Sequence, residues 1–158
     1  MKLQRVVVAT DFSETSLAAV ETAFSLALEN RATVYLLHVM DLILEQTAPM
    51  AGTVGPSLQE RYRKETEHLQ DLIPKNYKND LHVETAVAVG NASSEIARFA
   101  REKNADLIVV GTHGRRGLVR FLMGSTAEAL LRDAPCQVLI VKPKVAVAAN
   151  TEAFADAT

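Results

Sequence analysis

Short apolar runs recur along this chain with a helix-patterned segment between each pair, and that alternation narrows the fold more than any other feature. The runs are Val6-Val7-Val8-Ala9, Val34-Tyr35-Leu36-Leu37, the stretch 81–89, Leu107-Ile108-Val109-Val110 and Val138-Leu139-Ile140-Val141. Each has strand length; the stretch 81–89 alternates at first and is apolar at its end, and the others are apolar on both faces, the pattern of strands buried between two helical layers. The expected architecture is therefore α/β: a five-stranded parallel sheet with helices on both faces. Right-handed crossovers leave few topologies for such a chain.

The intervening helices are expected over residues 14–30, 58–73, about 93–103 and 125–132. Ser13 is placed to cap the first, with Leu17, Val20, Phe24 and Leu28 as its buried stripe. Pro74 stops the second. Ser93 or Ser94 starts the third, with Ile96, Phe99 and Ala100 turned inward. Pro135 breaks the chain before the last strand. Residues 41–57 contain Pro49, Gly52, Gly55 and Pro56 and read as a flexible loop. One domain over residues 1–144 is expected, followed by an Ala-rich tail over 145–158 that carries no core pattern and is expected to be disordered.

Composition excludes several classes. With 17 basic against 19 acidic side chains, the chain lacks the cationic excess of a general nucleic-acid binder. The lone Cys136 rules out an internal disulfide and a Cys-rich zinc site. No apolar stretch has the length of a signal peptide or a membrane span, so a soluble cytoplasmic protein without a membrane partner is expected.

In a sheet of this kind, ligands bind beyond the C-terminal strand ends, where strand order reverses. The residues there are Thr10-Asp11, Val39-Met40-Asp41, Val89-Gly90, Gly111-Thr112 and Lys142-Pro143. The fourth end opens into a distinctive segment. Gly111-Thr112-His113-Gly114 leads through nine residues to Gly124-Ser125-Thr126, where a helix begins. A strand, a glycine-bearing loop and a helix N-terminus in that order present backbone N–H groups and a helix dipole to an anion. Ser125 and Thr126 add hydroxyls, and Arg115, Arg116 and Arg120 add local positive charge. The bland reading is a surface loop whose glycines only make turns. The segment contains no Gly-x-x-x-x-Gly-Lys-Ser/Thr, and no Gly-x-Gly-x-x-Gly follows the first strand, so neither a P-loop NTPase nor a dinucleotide fold fits.

The spacing Gly-2x-Gly-9x-Gly-Ser/Thr, as Gly111, Gly114, Gly124 and Ser125, resembles the ATP-binding signature of the universal stress protein family. The likeness extends to Thr10-Asp11-Phe12-Ser13-Glu14, Leu37-His38-Val39, Val89-Gly90 and the fifth run after Pro135. It spans about residues 3–143. The resemblance implies strand order 3-2-1-4-5 in an adenine-nucleotide α-hydrolase-like fold, with ATP, and Mg²⁺ alongside it, as ligand. It implies ribose contacts from Asp11 and Gly111, an adenine contact from the Val39 backbone, and phosphate contacts from Gly114, Gly124, Ser125 and Thr126. Thr10 and Gly90 would line the nucleoside cleft. Phosphate contacts from Arg115 and Arg116 are an inference from their charge and place in the loop. The resemblance also implies a homodimer through Val138-Leu139-Ile140-Val141, an unidentified protein partner and a regulatory role in stress adaptation. AMP or another adenine nucleotide remains an alternative ligand, because loop glycines do not count phosphates.

Other residues are weighed against duller roles. Asp11 could simply cap the first helix, although Ser13 is available for that. His38 reads as a hydrogen-bonded structural residue rather than a base. His113 either touches phosphate or covers the loop. Cys136 reads as inert core. Lys142 with Thr112 superficially resembles a receiver domain, but the acidic pair and the phosphorylatable Asp of that chemistry are missing. No carboxylate pair, Ser-His-Asp order or metal-ligand spacing sits near the strand ends, so no catalytic residue or metal ligand is assigned. Binding with at most slow hydrolysis or self-phosphorylation is expected, Ser125 and Thr126 being the nearest hydroxyls. A weak ATPase and a nucleotide-independent dimeric module are the alternatives.

Overall fold

The computed structural model describes residues 2–41, 57–77, 80–112 and 123–143. His113, Gly114, Arg115, Arg116 and Arg120, most of the 41–57 loop and the 145–158 tail lie outside the described residues. Among the described residues the chain runs β1 (Arg5–Ala9), α1 (Glu14–Asn30), β2 (Thr33–Met40), α2 (Leu58–Asp71), β3 (Val83–Val89), α3 (Ala92–Glu102), β4 (Leu107–Gly111), α4 (Ser125–Asp133) and β5 (Gln137–Val141). All pairings are parallel and the order is β3-β2-β1-β4-β5, so the order in which successive strands are added reverses between β1 and β4.

The alternation of side chains along each strand sorts the core into two layers. Val6, Val8, Val34 and Leu36 point to one face and pack with Val20, Phe24 and Leu69 from α1 and α2. Val7, Leu37, Ile108 and Val110 point to the other and meet Ile96, Ala100 and Leu130 from α3 and α4. Among the described residues, no helix is long and apolar enough to cross a membrane.

Helix α1 begins as expected: Ser13 is extended at φ −72° and ψ 157°, and its side chain accepts from the Ser16 N–H. Its buried face differs from the expected stripe. Ser16, Ala19, Val20, Ala23, Phe24 and Ala27 are buried, whereas Leu28 is 41% exposed. Alanines let the helix sit close to the sheet, and the large residues at the ends of the expected stripe fall off that face. Helix α3 is capped by Asn91, whose side chain accepts from the Ser94 N–H, rather than begun by Ser93 or Ser94. Helix α2 opens with a reciprocal capping box between Ser57 and Glu60, and these hydrogen bonds hold the Glu60 carboxyl below its ordinary range. Strand β5 lies at one edge of the sheet, and its residues 138–141 are only half-buried.

Candidate nucleotide site at the strand ends

The loop after β1 is built by its own polar side chains. Thr10 is 4% exposed, its N–H donates to the Leu37 carbonyl at 2.9 Å, and its Oγ1 shares a hydrogen bond of 3.0 Å with Ser16 Oγ. The Phe12 N–H donates to Thr10 Oγ1 at 3.0 Å, and the Asp11 N–H reaches Ser16 Oγ at 3.3 Å. Asp11 Oδ1 accepts from the Ser13 N–H at 3.1 Å and from the Ser13 hydroxyl at 2.5 Å. The two roles weighed for Asp11 and Ser13 thus overlap: Ser13 caps α1, and Asp11 orients Ser13 through one carboxylate oxygen. His38 is buried, as a structural histidine should be, with Nδ1 at 2.8 Å from the Thr10 carbonyl oxygen.

Strand β2 outlasts β1 at this end. Leu37 offers its carbonyl to Thr10 on the β1 side, and Met40 offers its carbonyl to the Gly90 N–H on the β3 side at 3.0 Å. Alternate residues of a parallel strand bond to opposite neighbours, so the Val39 main chain turns toward β1, at a level where β1 has already ended at Ala9. Gly90 sits beyond β3, two strands from β1. Its φ of +146° lies where side-chain-bearing residues are strained, and a Cβ there would meet Glu95 Cγ at 3.2 Å. Backbone conformation alone therefore calls for glycine at this position.

Gly111 ends β4 for a different reason. A Cβ on it would lie 2.7 Å from the Thr15 carbonyl oxygen and 2.8 Å from the Thr15 carbonyl carbon. Its missing side chain lets the first turn of α1 pack directly on the end of β4, which sets the Asp11 loop beside that strand end. The buried Thr112 then ties that end together. Its N–H donates to the Val141 carbonyl at 2.9 Å, and its carbonyl accepts from the Gly124 N–H at 2.8 Å. This second bond seats the N-terminus of α4 on the end of β4.

Helices α1, α2 and α3 carry side-chain caps from Ser13, Ser57 and Asn91, whereas Gly124, extended at φ −64° and ψ 149°, gives α4 none. Its first-turn amides, with Ser125 exposed and Thr126 half-buried, therefore receive no acceptor from the cap position. Glu128 is the acid of that turn; its side chain is largely exposed, 3.9 Å from Arg132.

The structure thus brings Thr10, Asp11, Gly111, Gly124, Ser125 and Thr126 to the reversal point, with Val39 one strand away and Gly90 two. Sequence reasoning passed over Ser16 and named Thr112 and Phe12 without giving them a role. A serine on an otherwise apolar helical face was the available signal for Ser16. For the left-handed backbone of Phe12, φ 64°, the sequence offers no signal. Cys136 is half-buried rather than core, and burial together with the nearby Asp106 charge pushes its thiol up from the ordinary range. A separate open depression, lined by Leu58, Gln59, Glu60, Tyr62 and Arg63, includes none of the strand-end residues.

Known proteins share this fold. Residues 2–142 match the model of the universal stress protein family. A universal stress protein of Methanocaldococcus jannaschii is 35% identical over 140 residues, which covers 88% of this chain and 82% of that protein. The solved structure of another protein of that organism, MJ0577, superposes with a TM-score of 0.72 at 26% identity, covering 92% of this chain and 99% of that one. A universal stress protein crystallised in complex with cAMP superposes with a TM-score of 0.65 at 25% identity, covering 91% and 100% of the two chains. The chain belongs to the universal stress protein family.

Proposed function

We propose that this protein is a regulatory adenine-nucleotide-binding protein of stress adaptation, acting in the cytoplasm, with ATP and its Mg²⁺ as the ligand. The observation that carries the reading is the N-terminus of α4, without a side-chain cap and hydrogen-bonded to the end of β4, beside the Asp11 loop. An anion completes the hydrogen bonding of such a terminus and is favoured by its dipole. In this reading Gly124, Ser125 and Thr126 hold phosphate, and Gly114, His113, Arg115 and Arg116 add to the same loop. Asp11 and Gly111 face the ribose, the Val39 main chain meets adenine, and Thr10 and Gly90 line the cleft. In this reading the charges of Arg115 and Arg116 offset phosphate, and Asp11 accepts from ribose hydroxyls. The protein binds rather than turns over its nucleotide, apart from slow hydrolysis or transfer to Ser125 or Thr126.

A second reading has support in the relative crystallised with cAMP: the physiological ligand is AMP or a cyclic monophosphate. Calorimetric titration distinguishes the two. Mg-ATP is expected to bind in the micromolar range, about −8 kcal/mol, and more tightly than AMP or cAMP. Tighter binding of a monophosphate would replace ATP as the ligand. Absence of heat and of thermal stabilisation with every nucleotide would leave the nucleotide-independent interaction module.

The half-buried edge strand β5 supports a homodimer. An uncovered Val138-Leu139-Ile140-Val141 edge invites pairing, and a second copy running antiparallel would close it. Sedimentation at micromolar concentration should give the mass of a dimer, and a charged substitution such as Leu139→Lys should give the monomer. A wild-type monomer under those conditions would contradict the proposal.

A further inference from the structure

Phe12 departs from its surroundings in two ways. It is a bulky residue in the left-handed region, φ 64°, a conformation that side-chain-bearing residues adopt only when their surroundings hold them there. Its ring also stands between two histidines from different elements. The centroid of the His38 ring, on β2, lies 4.8 Å away, and that of His68, on α2, lies 5.6 Å away with the planes at 75°. The second geometry is the edge-to-face contact that aromatic rings favour. On either side of Phe12 along the chain, Asp11 and Ser13 are hydrogen-bonded to each other. A displacement of Asp11 is therefore a displacement of the ring that touches α2.

Helix α2 is suited to register such a displacement because, among the described residues, it buries less of itself than α1 does. Leu69 is its one fully buried residue, and Tyr62, itself 45% exposed, reaches the Val87 carbonyl with its hydroxyl at 2.9 Å. His68 adds the ring contact to Phe12, and its Nδ1 lies 3.2 Å from Glu65 Oε2 within the same helix. By contrast, α1 buries six residues against the sheet.

We infer that Phe12 is a positioning residue that couples occupancy of the nucleotide site at Asp11 to the docking of α2, through its contact with His68. The inference rests on the nucleotide reading proposed above. Ligand contact with Asp11 stabilises the left-handed turn, the turn holds the Phe12 ring in place, and the ring holds α2. By linkage the reverse also operates: when α2 loses its grip on Phe12, the binding-competent loop is populated less and the apparent affinity falls by that fraction.

The test uses hydrogen exchange across α2 with and without saturating Mg-ATP, together with calorimetric affinities, for the wild type, His68→Ala and His68→Phe. His68 is a half-exposed side chain, so neither substitution threatens folding. In the wild type, nucleotide should slow exchange in α2 several-fold. His68→Ala should abolish that response and weaken Mg-ATP binding by about three- to tenfold, while His68→Phe, which keeps a ring against Phe12, should restore both. A wild-type α2 that ignores bound Mg-ATP would overturn the inference alone, as would His68→Ala behaving like the wild type, or His68→Phe failing to rescue it. Failure of the wild type to bind any nucleotide would remove the inference and the reading beneath it together.

Discussion

Gly111→Ala is expected to destabilise the protein by about 1–3 kcal/mol, and Gly111→Val by at least as much. The added Cβ would lie 2.7 Å from the Thr15 carbonyl oxygen, 2.8 Å from its carbonyl carbon and 3.0 Å from the Ser16 nitrogen. All three are main-chain atoms in the first turn of α1, so no rotamer change can move them aside. The helix must lift from β4 as a unit. That movement would strain the Thr10–Ser16 and Asp11–Ser13 hydrogen bonds, which depend on the same turn. Urea unfolding checks this: the midpoint should fall with the slope unchanged. An unchanged midpoint would mean that the approach of α1 to β4 is not a close packing contact. Because Gly111 is also proposed to face the ribose, nucleotide binding should weaken in the same variants, and stability separates the two effects.

Gly124→Asp is expected to move stability and binding in opposite directions. The backbone of Gly124, φ −64° and ψ 149°, is already that of an N-cap residue, so an aspartate can take it without strain. Its carboxylate would accept from the first-turn amides and favour the helix dipole, raising stability by about 0.5 kcal/mol. The same carboxylate would occupy the donors and place negative charge where phosphate is proposed to sit. Loss of one or two charge-assisted hydrogen bonds, at roughly 1.5–3 kcal/mol each, corresponds to Mg-ATP binding weakened by about tenfold at the least and about ten-thousandfold at the most. Gly124→Ser should give a similar cap with a much smaller loss, because it adds no charge. Calorimetry and thermal unfolding on the three proteins provide both readouts. A Gly124→Asp protein that is more stable and binds Mg-ATP unchanged would remove α4 from the phosphate site.

The parts of this molecule legible in its sequence are those set by local pattern. The apolar runs marked every strand of the sheet, and Ser13 marked the start of α1 at Glu14. Strand order followed from family resemblance, not from the runs themselves, and the sheet has that order. What periodicity missed depends on packing distance. Leu28 fits a helical stripe, yet α1 is drawn to the sheet by Ala19, Ala23 and Ala27, and that orientation turns Leu28 to solvent. Asn91 outcompeted Ser93 and Ser94 as a cap because it stands where the chain is still extended, at φ −73° and ψ 126°.

At the candidate site the same division holds. Gly111 stood out by spacing and Gly90 by its place at a strand end, but neither signal could tell that Gly90 answers to its own φ and Gly111 to the Thr15 main chain. Thr112 was named at a strand end but given no role, because its contribution is made through its backbone, which any residue type possesses. The ring contacts at Phe12 join residues 12, 38 and 68, a grouping that exists only after β1, β2 and α2 have come together.

A crystal structure of this protein with Mg-ATP tests the central claim most directly. Adenine should lie against the Val39 main chain, ribose beside Asp11, and the phosphates before the amides of Ser125 and Thr126. Well-ordered nucleotide bound elsewhere on the molecule, with the α4 terminus facing only solvent, would contradict the account.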